Sequence, residues 1–142
     1  MMKVQVKQIK GLALAAKADS GHWITMDGPT ELGGQNAGSR PMEVLLMALG
    51  GCTGMDVISI LKKKRAPVED FEMELEAEQA PEHPKVFTKI RIKFIIYGRG
   101  IKPQDVERAI ELSETKYCSA SEMLRKTAEI TTEYEIREPA PY

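Results

Sequence analysis

The stretch "RPMEVLLMALGGCTGMDVISILKKKR", from Arg40 to Arg65, constrains this chain more than any other part of it. Pro41 suits the first position of a helix, and Glu43 falls in the first turn, where a carboxylate complements the helix dipole. The helical pattern runs to about Lys64 and must stop before Pro67. From Val44 to Leu61 almost every face is apolar or small. Such a helix has no face suited to water and must be covered on most sides. Gly50, Gly51 and Gly54 interrupt it, at roughly 1 kcal/mol each relative to alanine. They predict a kink or the close approach of another backbone. Cys52 and Asp56 lie one turn apart and so on nearly the same face.

The flanking sequence predicts strands. Met2 to Ile9 alternates Val4, Val6 and Ile9 against Lys3, Lys7 and Gln8. Leu12–Lys17 and His22–Met26 read as two short strands joined by Asp19-Ser20-Gly21. Gly28–Ser39 is a loop long enough to be a candidate functional one. Beyond the long helix, Phe71, Met73, Leu75 and Ala77 alternate with Glu72, Glu74, Glu76 and Glu78. After a Pro-rich loop, Ile90, Ile92, Phe94 and Ile96 alternate with Lys89, Arg91 and Lys93. Paired antiparallel, the acidic and basic rows face each other, and each opposed pair adds roughly 0.2–1 kcal/mol. These charges therefore specify register.

Pro103 opens a second helix with a stripe of Val106, Ala109, Ile110, Ser113 and Tyr117. "SASE", Ser119 to Glu122, is a capping-box pattern that opens a third. Ala128–Arg137 closes the chain as a strand. The order of elements is α+β, with no repeat and no domain boundary, so one domain over residues 1–142 is expected.

The balance of 42% hydrophobic and 29% charged residues is that of an ordinary globular chain. The net charge of −1 argues against a nucleic-acid footprint, and Lys62–Arg65 reads as a solvated helix end. Met1–Lys10 has no apolar core of a signal peptide. The longest apolar run, Val44–Leu49, falls far short of a membrane span. A cytoplasmic protein is expected, and there two cysteines are inert core thiols or redox groups rather than a permanent bridge. Asp56 would raise the pKa of a neighbouring Cys52 thiol. Cys118 lies beside a helix start, which favours a thiolate. His22 and His83 are not in metal-ligand spacing, no phosphate loop or dinucleotide fingerprint occurs, and no metal or cofactor is expected.

The long-helix motif with "GGCTGMDV", followed at Tyr117–Leu124 by "YCSASEML", resembles the OsmC/Ohr family of thiol peroxidases. The resemblance follows the order of elements over the whole chain. It implies an intertwined homodimer in which antiparallel sheets wrap long central helices. It also implies that Cys52 attacks an organic hydroperoxide and becomes a sulfenic acid, that Cys118 condenses with it to a disulfide, and that a dithiol reduces it again. In characterised members that dithiol is on a lipoylated protein. A thiolate in a dry apolar pocket would meet a greasy hydroperoxide there, and the glycines would admit the partner helix. The family places a Glu directly after the helix-opening Pro and an Arg in the N-terminal strands. Here those features are Met42, with Glu43 one step later, and no Arg before Arg40. Arg40 and Glu43 are the candidates for an Arg–carboxylate pair at the pocket. Reaching Cys52 from Arg40 would need a break at Gly50-Gly51 or delivery from a partner subunit. A non-catalytic protein binding a fatty or aromatic ligand in the same pocket is the rival reading.

Overall fold

The computed structural model describes residues 1–140. It forms two compact units, Met1–Leu45 and Leu46–Tyr142.

In the first unit β1 (Val4–Lys10), β2 (Ala13–Ala18) and β3 (Trp23–Met26) form an antiparallel sheet in that order. The expected alternation is present, but Val4, Val6 and Ile9 are exposed, as are Trp23 and Ile24. The sheet buries Ala13 and Ala16 instead. Its apolar rows are thus not covered by the rest of this unit.

The loop after β3 is organised by Asp27, which is buried. Its carboxylate accepts the backbone N–H groups of Gly28 at 2.7 Å, Gln35 at 3.0 Å and Ala37 at 3.1 Å. Burial alone would raise the Asp27 pKa. The three amides and the Arg40 guanidinium outweigh it, and the net shift is downward.

The long helix, α1 (Pro41–Lys63), is continuous. The glycines therefore do not break it. Its buried residues Leu49, Gly50, Thr53, Gly54, Val57 and Leu61 form one stripe. In the second unit that stripe lies against β4 (Asp70–Gln79). A Cβ at Gly50 would stand 3.0 Å from Leu75 Cδ1, and one at Gly54 would stand 2.7 Å from Met73 Sδ. Close approach is thus the reason for two of the glycines, and the approaching group is a side chain of the same chain. Among the described residues, a Cβ at Gly51 would meet nothing within 4 Å. Met47, Met55 and Ile58 are exposed on the rest of the helix. By length and composition α1 is apolar enough to cross a bilayer. The six-residue run before the glycines concealed this, because glycine, cysteine and threonine extend the apolar surface beyond it.

β4 pairs with β5 (Phe87–Tyr97) as the charge rows predict: Glu74 opposes Lys93, Glu76 opposes Arg91 and Glu78 opposes Lys89. On the other face Met73 opposes Phe94 and Leu75 opposes Ile92. Ile90, Ile92, Phe94, Ile95 and Ile96 make β5 the centre of the core. β6 (Glu129–Arg137) adds to β5 in parallel, not antiparallel. The intervening helices, α2 (Pro103–Leu112) and α3 (Ser119–Leu124), supply the crossover that parallel pairing requires.

Between α2 and α3 the chain widens into a π-helical segment, Ser113–Tyr117. The wider turn breaks the 3.6-residue period. Ser113 stays buried, while Tyr117, expected in the same stripe, is half exposed.

Candidate active site

Cys52 lies on α1 and is partly buried; Cys118 is buried at the start of α3, and both thiols are free. The fold brings them together, and Cys52 is close enough to Cys118 to shift its titration.

Local sequence suggested that Cys118 would ionise easily. The structure reverses this. Burial pushes the Cys118 thiol up, and neighbouring Cys52 pushes it further, outweighing hydrogen bonds from Ser121 that act the other way. Ser119 is not the cap of α3. Cys118 itself is: its Sγ accepts the Ser121 N–H at 3.3 Å. The thiol therefore takes the role a Ser or Asp usually plays.

Asp56 has found its partner in a polar cluster that sequence alone did not reveal. Ser113 Oγ donates to Asp56 Oδ2 at 2.9 Å. Its one proton is thereby used, so Thr53 Oγ1, 2.8 Å away, donates to Ser113. Thr53 and Ser113 are both buried. The backbone carbonyl of Ser113 accepts the N–H of Cys118 at 2.8 Å. Thr53 directly follows Cys52 in the chain, and the only prior sign of the cluster was the unexplained Asp56 on an apolar helix.

Arg40 and Glu43 do not form the expected ion pair. Glu43 Oε1 accepts the Arg40 backbone N–H at 2.7 Å, the capping-box arrangement at a helix start. The Arg40 guanidinium donates instead to Asn36 Oδ1 at 2.9 Å and to the Gly38 carbonyl at 3.1 Å. Within their own unit both residues organise the loop and the first turn of α1. With α1 continuous, the proposed break at Gly50-Gly51 does not occur.

A hollow of about 430 Å³ opens beside Cys118, lined by Lys116, Tyr117, Ser119, Glu122 and Met123 among others.

Two buried or half-buried thiols on a long apolar helix and a helical crossover define a class of protein, and comparison with known proteins identifies it. Residues 34–133 match the family model described as OsmC-like protein. The chain belongs to the OsmC-like family. It is 46% identical over 135 residues to Protein YhfA of Escherichia coli (strain K12), covering 95% of this chain and 98% of that one. A hypothetical protein from Aquifex aeolicus VF5, known from a crystal structure, is 31% identical with a TM-score of 0.86, covering 99% of this chain and 98% of that one. The crystal structure of an organic hydroperoxide resistance protein OsmC from Legionella pneumophila superposes with a TM-score of 0.68 over 95% of this chain and 96% of that one. At 15% identity it shares the fold alone.

Proposed function

We propose that this protein is a homodimeric, cysteine-based peroxidase that reduces organic hydroperoxides in the cytoplasm as part of oxidative stress defence. One observation carries the reading: the tertiary fold sets Cys52 and Cys118, far apart in sequence, beside each other as free thiols. The Cys52 thiolate attacks the distal oxygen of ROOH. The S–O bond forms as the O–O bond breaks, and the alkoxide leaves with a proton as ROH. Cys118 then attacks the Cys52 sulfenic acid, forming the S–S bond and releasing water. A dithiol, such as that of a lipoylated protein, returns both thiols to the reduced state. The family match runs across the boundary between the two compact units, which supports a single OsmC-like domain over residues 1–142. The uncovered apolar side chains of β1, β3 and α1 support burial against a second copy.

A second reading has one observation in its favour. The Arg40 guanidinium is committed to Asn36 and Gly38, and Arg40 is the first arginine in the chain. Without a cation at Cys52 the protein would bind an apolar fatty or aromatic ligand and turn nothing over. Stopped-flow measurement of thiol loss with cumene hydroperoxide and with hydrogen peroxide separates the two. The peroxidase consumes one equivalent per subunit and prefers the organic hydroperoxide. Unchanged thiols after prolonged exposure to both would leave the binding protein.

A further inference from the structure

Ser113 occupies an unusual place. It is the first residue of the π-helical segment, it is fully buried, and its side chain and main chain face two different tasks. The side chain is held from both sides by α1, accepting from Thr53 and donating to Asp56. The main-chain carbonyl holds the N–H of Cys118. Thr53 is the immediate neighbour of Cys52. One residue therefore ties the backbone of one thiol to the helix that carries the other.

The surroundings make the cluster informative. Leu49, Val57, Val106, Ala109 and Ile110 are buried in the same unit. Apolar residues of similar shape would fill this place without the burial of two hydroxyls and the partial burial of a carboxylate. Hydrogen bonds are directional where apolar contacts are not, so the cluster specifies a rotation and register of the π-helical segment on α1. A π-type turn can tighten or relax by one residue, and it is a common device near functional groups. Here its last hydrogen bond is the one that ends on Cys118.

We propose that Ser113, clamped by Thr53 and Asp56, is the positioning residue that sets Cys118 against Cys52 for disulfide closure. The inference rests on the reading of the two cysteines as a redox pair. It adds that closure depends on a hydroxyl at Thr53 and at Ser113, neither of which touches the reacting sulfur atoms in the mechanism above. The clamp acts on the second chemical step and leaves the attack of Cys52 on the hydroperoxide alone.

The test needs no hydroperoxide. The full-length protein is equilibrated in buffers of reduced and oxidised glutathione. Two protein thiols become the Cys52–Cys118 disulfide while one glutathione disulfide becomes two thiols. Alkylation and mass spectrometry read the fraction closed. Thr53→Val keeps the shape and removes the donor; Thr53→Ser keeps the donor and removes a methyl group; Ser113→Ala removes the centre of the cluster. Thr53→Val and Ser113→Ala should lower the effective concentration of the pair about tenfold, which is about 30 mV in a two-electron couple. Thr53→Ser should stay within about twofold of wild type, a shift of under 10 mV on the same scale. Melting temperatures are measured beside them. If closure is unchanged in Thr53→Val, or if it follows melting temperature across all three variants, the cluster is only packing and the proposal is overturned.

A second arm follows sulfenic acid at Cys52 after one equivalent of cumene hydroperoxide. Formation at the wild-type rate with slowed closure in Thr53→Val supports the proposal. A wild type that closes its disulfide in glutathione yet ignores hydroperoxides overturns the peroxidase reading alone, and the glutathione series still decides on the clamp. A wild type that forms no Cys52–Cys118 disulfide at any glutathione ratio overturns both.

Discussion

At the scale of single residues, the two cysteines differ in accessibility, Cys52 being partly buried and Cys118 buried. Cys118 is buried and its thiol is pushed up by that burial. In a Cys52→Ser variant it should react with iodoacetamide at neutral pH several-fold more slowly than an unfolded thiol, which titrates near 8.5. The rate should climb only as the pH rises well past that value, and a rate equal to that of the unfolded chain would mean that Cys118 is not shielded. In the complementary Cys118→Ser variant, one turnover should leave sulfenic acid trapped by dimedone on Cys52. Asp27 titrates in the opposite sense. Its pKa is lowered in the folded chain, so its stabilisation of the loop is complete above about pH 4, the unfolded value, and is lost as pH falls through the folded one. Asp27→Asn keeps one acceptor but not the charge. Hydrogen exchange at Gln35 and Ala37 should quicken in that variant at neutral pH, and unchanged protection would show that the carboxylate is not what holds the loop.

At the scale of elements, the three glycines of α1 have three different environments. A Cβ at Gly54 would clash with Met73 Sδ, one at Gly50 would press tightly on Leu75 Cδ1, and one at Gly51 would face open space among the described residues. Gly54→Ala should therefore destabilise by about 1–3 kcal/mol as the Met73 side chain is displaced. Gly51→Ala should stabilise the helix by up to about 1 kcal/mol. Urea unfolding of the two variants checks the contrast. A Gly51→Ala variant less stable than wild type would place a second copy against that face. The β4–β5 hairpin was legible because its two rows of opposite charge favour antiparallel pairing of those two faces. The parallel pairing of β6 was not, because alternation along a strand is the same whichever way its neighbour runs.

At the scale of the whole molecule, the proposed second copy would cover the exposed apolar side chains of α1. Met55 is 74% exposed, so a charge there costs the isolated chain little, within about 0.5 kcal/mol. In the proposed dimer the same charge would be buried and unpaired. Met55→Glu should turn a dimer into monomers in equilibrium sedimentation at low micromolar concentration, with the helical signal largely kept. A Met55→Glu protein that stays dimeric would move the interface elsewhere, and a wild type that is a well-folded monomer would remove it.

What the sequence by itself determined is everything carried by short-range pattern. The period of two gave the strands, the period near 3.6 gave α2, an apolar run opened by Pro41 and Glu43 gave α1, and the motif around Cys52 pointed to the family. These depend on neighbours within a few residues, and the structure agrees with them. What only the tertiary structure decided depends on distant parts of the chain. The Cys118 pKa moved against its local electrostatics because burial by remote residues outweighed them. Arg40 turned to Asn36 and Gly38 because loop carbonyls were nearer than the carboxylate drawn from spacing. Ser113 became the hub between the thiols because the crossover delivered it to Thr53 and Asp56. Periodicity says which face of an element is buried, but desolvation and hydrogen bonding depend on what is packed against that face.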